Sequence, residues 1–240
     1  MDISMQLSNL SKILNFEKWH GAGNDFIVIR DADFDDQLVP SLCHRRYGIG
    51  ADGVIVLEDP NRMHIYNADG SEASMCGNAL RISAKATGWS QIQSKTHLHT
   101  VKGDWVSLAK PTWIQNDPIV IDSGVRHVVC FDRQFSDAPA LRKEHEANVN
   151  IAVVESEDVI ALRTFEKGVE AETFSCGTGA VATAFATMRT FGYKGPFTLK
   201  FANDTLYVAF ENGVPWLSGH VACVFKGQPA IPDKNTRYYF

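Results

Sequence analysis

The sequence predicts an α+β fold of two similar halves, and three observations support this prediction. Short apolar and alternating segments, typical of β-strands, recur throughout the 240-residue chain, while long helical patterns are few. SEASMCGNALRISAKA (71–86) and AETFSCGTGAVATAFA (171–186) carry Glu, Cys, Gly and two alanines at the same places, 100 residues apart. Turns at Gly21–Asn24 and Ser123–Arg126 precede them at a similar spacing. We therefore predict an internal duplication.

The predicted elements divide the chain into residues 1–114 and 115–228, with a polar boundary around Pro111 and Pro118. Each half contains short strands and one long helix that follows a Cys-Gly pair, at about 77–88 and about 177–191. A shorter helix is predicted around Pro40–Tyr47. The segment from His97 to Ala109 is predicted to form a hairpin that turns at 102–104.

Charge and hydrophobicity exclude several classes of protein. The net charge is −5, from 23 basic and 28 acidic residues, without a basic cluster that could neutralise nucleic-acid phosphates. No apolar stretch approaches the roughly 20 residues of a membrane-spanning helix. The N-terminal segment 1–16 lacks the features of a signal peptide. It has helical spacing at Leu7, Leu10, Ile13 and Leu14 and is expected to form a short amphipathic helix or arm.

The cysteines indicate free thiols in a cytoplasmic protein. There are five of them, an odd number at irregular spacing without a CxxC motif, which suits neither a secreted disulfide framework nor a zinc knuckle. Cys43-His44 and His97–His99 are weak metal candidates, because each lacks a second pair of ligands at a suitable spacing. We expect no metal site. The cysteines are Cys43, Cys76, Cys130, Cys176 and Cys223.

A cysteine that directly precedes a helix lies beside free amide N–H groups, which lowers the pKa of its thiol. Glycine at the next position allows close approach to the backbone, so the turn is suited to a carboxylate. Two such turns related by a pseudo-twofold axis would place Cys76 and Cys176 on opposite faces of the carbon that bears the carboxylate. One thiolate could then remove a proton while the other thiol returns one, inverting the stereocentre without a cofactor. The alternative is two buried structural cysteines.

Three stretches resemble the signatures of the diaminopimelate epimerases, a family of two-thiol isomerases that use no pyridoxal phosphate. They are HGAGNDF (20–26), NADGSEASMCGN (67–78) and ETFSCGTGA (172–180). The resemblance extends in the family's order from about Phe16 to the C-terminus. It implies two α+β halves, each a mixed sheet wrapped around a central helix, with the active site in the cleft between them. It also implies that the last segment, 229–240, returns to the first half.

The resemblance further implies the roles of individual residues. Cys76 and Cys176 would be the base and acid pair, and His127 and Glu166 would support proton transfer or fix the substrate. The alternatives for His127 and Asn67 are a histidine with a structural role and an Asx-turn, respectively. The residues implied to bind the substrate are Asn24, Asn67, Gly77, Asn78, Asn148, Lys167, Gly177 and Thr178.

Several positions depart from the family's usual pattern. Gly53 stands where many members have Gln, and Val125-Arg126 replaces an Asn-Pro pair before the histidine. Lys167 replaces an arginine and cannot form the planar two-bond clamp on a carboxylate. In the family, most of these positions lie on the distal side, where the non-reacting end of the amino acid is bound, so the resemblance supports the reaction better than the distal specificity. Arg126 is a candidate replacement for the clamp.

We therefore expect an isomerase that interconverts LL- and meso-diaminopimelate for lysine and peptidoglycan precursor biosynthesis. The open alternatives are a related cofactor-independent racemase of glutamate or histidine, a thiol-redox protein, and a non-catalytic binding protein. The expected partner is a small-molecule amino acid, with no nucleic acid and no membrane. The oligomeric state stays open, with a homodimer as one option.

Overall fold

The computed structural model describes residues 15–30 and 33–228, and within them the chain forms eighteen strands and four α-helices. The helices are α1 (Val39–Cys43), α2 (Gly77–Thr87), α3 (Ala138–His145) and α4 (Gly177–Phe191). The strands of the first part are β1 (Phe16–Gly21), β2 (Asn24–Ile29), β3 (Gly53–Glu58), β4 (Arg62–Asn67), β5 (Glu72–Ala73), β6 (Gln91–Gln93), β7 (Leu98–Lys102) and β8 (Trp105–Ser107). They are followed by β9 (Thr112–Asn116), β10 (Ile119–Asp122), β11 (Arg126–Cys130), β12 (Asn148–Val154), β13 (Val159–Glu166), β14 (Ala171–Thr173), β15 (Phe197–Lys200), β16 (Thr205–Glu211), β17 (Val214–Gly219) and β18 (Val221–Gly227).

The strand pairing repeats itself, as the duplication predicts. In the first half β1 and β2 form an antiparallel pair, β2 and β3 a parallel pair, and β3 and β4 an antiparallel pair. In the second half β10 with β11, β11 with β12 and β12 with β13 follow the same sequence of directions. The parallel pairs β4–β6 and β13–β15 also correspond. The fold is thus α+β with two pseudo-symmetric mixed sheets.

Strands of the two halves pair with each other. The short strand β8 pairs with its counterpart β17, with Val106 opposite Leu217. At the outer edges β9 pairs with β10, while β18 returns to pair with β1 of the first half. The sequence-based boundary at 114/115 falls inside β9, and the return to the first half is made by β18, before residue 229. The division into halves stays a prediction, and segment 229–240 lies outside the described residues.

Each half wraps its sheet around one central helix. Helix α2 contacts β1, β3, β4, β6 and β18, and α4 contacts β10, β11, β12, β15 and β16. The two helices also contact each other. The first seven residues of α2 and the first eight of α4 are all buried. The helix starts therefore lie in the interior, where the halves meet.

Both central helices begin and end on the predicted signals. Each is preceded by a cysteine in extended conformation, and each is followed by a glycine in the left-handed region, Gly88 (φ 73°) and Gly192 (φ 78°). Glycine adopts this conformation without the steric cost that other residues bear, which explains why the helices end there. The hairpin of β7 and β8 also turns as predicted, at Gly103 (φ 59°).

Helix α1 is shorter than the helix predicted over 40–47. It ends at Cys43, and His44 is already extended. The carbonyl groups of Leu42 and Cys43 accept hydrogen bonds from the amides of Gly50 and Ala51, instead of from the next helical turn. The chain folds back here to enter β3, and this return overrides the local helical pattern. The predicted N-terminal amphipathic arm lies outside the described residues.

Among residues 15–30 and 33–228, no helix combines the length and the apolar character required to cross a membrane.

Candidate functional site

Cys76 and Cys176 occupy equivalent places at the starts of the two central helices. Both are N-cap residues with extended backbone, at φ −145°, ψ 121° for Cys76 and φ −132°, ψ 110° for Cys176. The amide of Gly179 donates a hydrogen bond to the Cys176 Sγ at 3.4 Å. The first amide groups of both helices have no acceptor within the helix and can stabilise an anion.

The two helix starts touch through their glycines. A Cβ atom added to Gly77 would lie 3.3 Å from the Cα of Gly177, and one added to Gly177 would lie 3.2 Å from the Cα of Gly77. Each added atom would also come within 2.9 Å of the Leu217 Cδ2. Glycine is thus required at both positions for this close approach, which brings the two sets of free amides to one place.

Burial sets the ionisation of both thiols. It raises the pKa of Cys76, and it raises the pKa of Cys176 to about 12. The carboxylate of Glu166 raises both further, while backbone N–H donors act in the opposite direction. The amide groups of the helix start thus lower the thiol pKa as expected, but the pKa of each cysteine is nevertheless raised overall. Loss of solvent around a charged sulfur outweighs the amide donors.

Glu166 lies close enough to influence both cysteines. Burial raises the pKa of its carboxyl, and the charge on Asp52 raises it further. A carboxyl group with a raised pKa can hold a proton nearer to neutral pH than an exposed glutamate can. The structure thus places a carboxyl group with a raised pKa where its charge acts on both cysteines, and its part in proton transfer stays a prediction.

A chain of neutral hydrogen bonds leads to Cys176. The hydroxyl of Thr178 lies 3.4 Å from the Cys176 Sγ and 2.9 Å from the Nε2 of His127. The Nδ1 of His127 lies 2.9 Å from the side-chain amide nitrogen of Asn150. His127 is completely buried, and this burial lowers its pKa to about 3. The imidazole is therefore neutral near pH 7.

The surroundings of Cys76 are different. Its sulfur lies 3.9 Å from the side-chain oxygen of Asn24, which also accepts a 3.4 Å hydrogen bond from Asn78. Asn78 donates to the hydroxyl of Ser175 at 3.2 Å and accepts from the guanidinium of Arg81 at 2.6 Å. Asn78 and Ser175 thereby connect the two halves beside the first cysteine.

Arg81 places a buried positive charge near Cys76. The residue is 2% exposed, and its guanidinium donates to two uncharged oxygens, those of Asn78 and the His220 carbonyl at 3.1 Å. Burial lowers its pKa to about 10, and Cys76 and Asp204 are the acidic groups that act against this. The equivalent position in α4 is the apolar Val181. The pseudo-symmetric site is therefore electrostatically asymmetric.

The loops before the cysteines pack across the interface. The Ser175 hydroxyl donates to the Ala22 carbonyl at 2.9 Å, and a Cβ atom on Gly23 would meet the Phe174 Cβ at 3.1 Å. In the other direction, a Cβ atom on Gly124 would meet the Met75 Cε at 3.2 Å. Each cysteine loop thus packs against the turn of the opposite half.

The remaining predicted site residues differ in their burial. Asn148 is buried, and its side-chain oxygen accepts from the Lys167 amide at 2.8 Å. Asn67 is exposed and bonds to the Ser71 hydroxyl at 3.0 Å, which is the arrangement expected for a local turn. The Lys167 ammonium donates to the Glu146 carbonyl at 3.3 Å on the exposed side. The structure brings Asn148 beside the His127 strand and leaves Asn67 and the Lys167 ammonium in surface positions.

The other departures from the family pattern have different structural settings. A Cβ atom on Gly53 would lie 2.4 Å from the Tyr66 carbonyl oxygen, so this backbone leaves no room for a side chain. Val125 and Arg126 are exposed. The Arg126 side chain has no hydrogen bond or ion pair within the part of the chain that the structure describes, which leaves its guanidinium available to a ligand.

The weak metal candidates have other partners. His99 is buried, with one ring nitrogen 3.0 Å from the Ser94 hydroxyl and the other 2.8 Å from the Ser107 carbonyl oxygen. No group of three or more His, Cys, Asp or Glu residues suited to a metal ion occurs among the described residues. All five cysteines fall within those residues and are free thiols.

The sequence reasoning missed Arg81 and Asn150. Arg81 is a charged residue in an alanine-rich helix, five residues after Cys76, and its contrast with Val181 is visible in the aligned repeats. Asn148 and Asn150 alternate in the otherwise apolar strand β12, so they share one face of it. A polar pair on one face of a buried strand is a signal that could have identified Asn150.

Sequence comparison relates the chain to named proteins. The family model described as diaminopimelate epimerase matches residues 16–112. The diaminopimelate epimerase of Campylobacter lari is 33% identical over 243 residues, covering 89% of this chain and 98% of the relative. That of Methanocella arvoryzae is 33% identical over 273 residues, covering 90% and 96%.

Solved structures share the fold at low sequence identity. A phenazine biosynthesis protein of the PhzF family from Enterococcus faecalis has a TM-score of 0.65 at 11% identity, covering 90% of this chain and 99% of that one. A hydroxyproline epimerase from Agrobacterium vitis, with bound trans-4-hydroxy-L-proline, has a TM-score of 0.61 at 12% identity, covering 92% and 93%. These likenesses show that the fold is shared.

Proposed function

Because the chain belongs to the diaminopimelate epimerase family and is an isomerase, we propose that it interconverts LL- and meso-2,6-diaminopimelate. The observation that carries the proposal is the pair of Cys-Gly helix starts, which meet at Gly77 and Gly177. This arrangement offers two thiols and two sets of free amides to a single α-amino acid.

In the proposed reaction, the substrate's α-carboxylate accepts hydrogen bonds from the amides at both helix starts. One cysteine thiolate takes the α-proton, and the electron pair of the broken C–H bond moves into the carboxylate. The thiol of the other cysteine gives its proton to the opposite face of the α-carbon. One C–H bond is broken and one is formed, and the thiol and thiolate exchange roles.

The amide groups at the helix starts chiefly stabilise the deprotonated intermediate. Negative charge on the carboxylate increases as the proton leaves, and fixed donors in a site shielded from water stabilise it without reorganising. The buried charge of Arg81 lies on the Cys76 side and favours anions there. Burial, which raises the thiol pKa, also makes a thiolate in this site a stronger base toward the α-proton.

The family's name supports a place in the synthesis of lysine and of peptidoglycan precursors. We infer a cytoplasmic location from the free thiols, because a reducing compartment keeps Cys76 and Cys176 available for proton transfer.

The proposal is tested by incubating the protein with LL-diaminopimelate in deuterium oxide under reducing conditions. We expect the meso isomer to form with deuterium at the inverted α-carbon, as measured by NMR and mass spectrometry. Glutamate and histidine in the same assay test the related racemase activities. Absence of α-deuterium in every amino acid tried would contradict an isomerase of amino acids.

The distal end of the substrate is tested separately with Arg126. This guanidinium is exposed and unpaired in the described structure, whereas the Lys167 ammonium is bonded to a carbonyl on the exposed side. If Arg126 binds the distal carboxylate, Arg126→Ala raises KM for diaminopimelate and leaves kcat nearly unchanged. An unchanged KM would exclude this role.

A further inference from the structure

We propose that Asn150 is a positioning residue that fixes the tautomer of His127, so that the Thr178 hydroxyl donates its proton toward the Cys176 sulfur. The inference deepens the proposed function and rests on it for its catalytic consequence. Its premise is the hydrogen-bond chain that runs from Thr164 through Asn150, His127 and Thr178.

The orientation of the Asn150 amide follows from two neighbours. Its nitrogen lies 3.3 Å from the Val128 carbonyl oxygen, which can only accept a hydrogen bond. Its oxygen lies 2.9 Å from the Thr164 hydroxyl, which can donate to it. The reversed amide would place two acceptors against each other at Val128. The NH₂ group of Asn150 therefore faces the Val128 carbonyl and His127.

The same NH₂ group determines the state of the imidazole. It lies 2.9 Å from the His127 Nδ1, so this nitrogen must be the acceptor. In a neutral imidazole the other nitrogen, Nε2, then carries the proton. Burial holds the imidazole neutral by lowering its pKa to about 3. His127 is thus set as the Nε2–H tautomer.

The tautomer in turn sets the Thr178 hydroxyl. The Nε2–H donates to the Thr178 oxygen at 2.9 Å, and the hydroxyl proton remains for the Cys176 sulfur at 3.4 Å. Cys176 also accepts from the Gly179 amide. Two fixed donors directed at the Cys176 sulfur oppose the effect of burial on its thiolate, and in the protonated state the S–H of Cys176 is directed elsewhere. In the opposite tautomer Thr178 would donate to His127 and leave Cys176 with one donor.

The side chains of the hydrogen-bond chain are tightly packed and have little room to reorient. Asn150, Thr164 and His127 are all completely buried. A Cβ atom on Gly179 would lie 2.5 Å from the Asn150 oxygen and 3.3 Å from the Cys176 sulfur, so the amide sits directly against the start of α4. The charged and titratable groups that face Cys176 from other elements are Glu166 on β13 and Cys76 before α2.

The test compares Asn150→Leu with wild type, and Thr164→Val with Thr164→Ser as a matched pair. Thr164→Val removes the hydroxyl that orients Asn150, whereas Thr164→Ser keeps it. The His127 tautomer is read from ¹⁵N NMR of histidine-labelled protein, with His127→Gln as the assignment control. The reactivity of Cys176 is read from its alkylation rate with iodoacetamide at one alkaline pH, by peptide mass spectrometry. Thermal unfolding confirms that each variant is folded.

We expect the Nε2–H tautomer in wild type and Thr164→Ser, and its loss in Asn150→Leu. Loss of one donor to the thiolate raises the pKa of Cys176 by about one unit, so its alkylation and the α-deuterium exchange slow about tenfold. Thr164→Val is expected to slow the alkylation and the α-deuterium exchange as well, but by a smaller factor than Asn150→Leu. An Nδ1–H tautomer or an imidazolium in wild type would overturn the inference, as would an unchanged tautomer and alkylation rate in folded Asn150→Leu.

The two measurements also separate the inference from the proposed function. Tautomer and alkylation are observable without turnover. If they change as expected while wild type exchanges no α-proton, the positioning role of Asn150 stands and the proposed reaction fails.

Discussion

Burial is the largest influence on the ionisable side chains of the cleft. It raises the pKa of Cys176 to about 12, and it lowers that of His127 to about 3. Both shifts favour the neutral form, because a charge inside the protein loses its hydration. Arg81 is the exception, since its guanidinium stays protonated at neutral pH even with a pKa lowered to about 10.

The buried neutral His127 makes the fold sensitive to acid. Its pKa lies below the ordinary value of 6.5, so the unfolded chain binds the proton first as the pH falls. The stabilisation is present above 6.5 and is lost as the pH falls toward 3, at about 1.4 kcal/mol for each pH unit. We expect the free energy of unfolding of His127→Gln to fall less steeply than that of the wild type between pH 6.5 and pH 3. Denaturant titrations at several pH values measure this difference.

The exposed His97 provides the control for this prediction. His97→Gln is expected to keep the acid dependence of the wild type. If His127→Gln also keeps it, His127 is not held neutral by the fold.

Arg81 provides a second prediction at this scale. Its charge favours anionic states near Cys76, and Val181 offers no such charge near Cys176. We expect Arg81→Met to lower kcat/KM for epimerisation about tenfold or more, by analogy with the loss of a fixed electrostatic donor. Arg81→Lys keeps the charge and is expected to recover part of the rate. Equal rates for Arg81→Met and wild type would contradict the electrostatic role.

At the scale of elements, the site depends on two helix starts that touch. Gly77 and Gly177 permit this contact, and Leu217 of β17 packs against both of them. Amides and thiols from opposite halves can converge on one α-carbon only if these helices begin side by side.

Gly77→Ala and Gly177→Ala test this contact. The added methyl group would meet the opposite helix and Leu217, and the helix starts would have to separate. We expect each variant to lose at least tenfold in kcat/KM, because small displacements in a preorganised site are costly. Lys85→Ala, an exposed change at the far end of α2, is the control and should keep full activity. Wild-type rates in both glycine variants would show that the contact is not needed.

The two central helices, α2 and α4, could be predicted from the sequence, whereas α3 and the pairing of strands between the halves could not. Cysteine and glycine signals at the ends of α2 and α4 are local, so their bounds follow from neighbouring residues. The pairing of β18 with β1 joins segments about 200 residues apart, and no local signal encodes it. The orientation of Lys167 and the raised thiol pKa likewise depend on packing between distant segments.

Strand pairs and one apolar cluster join the two halves of the described structure. The β8–β17 pair lies between the two sheets, and β18 ties the end of the second half to the first. Leu217 and Leu199 are completely buried in the same apolar cluster. Of these two leucines, Leu217 is the one that packs against Gly77 and Gly177. Stability and activity can therefore be separated by comparing these two leucines.

We expect Leu217→Ala and Leu199→Ala each to lower the free energy of unfolding by about 2–5 kcal/mol, as is usual for buried leucines. Leu217→Ala should also reduce kcat/KM, because it removes the side chain that packs against both helix starts. Leu199→Ala should keep kcat/KM near the wild-type value under conditions in which it is folded. Equal losses of activity in both variants would place the effect in general stability instead.

The central claim is that Cys76 and Cys176 act on opposite faces of one α-carbon. It is tested most directly by measuring α-deuterium exchange of LL- and meso-diaminopimelate in deuterium oxide with Cys76→Ala and with Cys176→Ala. We predict that neither variant epimerises, and that each exchanges the α-proton of one configuration, the two variants having opposite preferences. Epimerisation by either variant, or exchange of the same configuration by both, would contradict the claim.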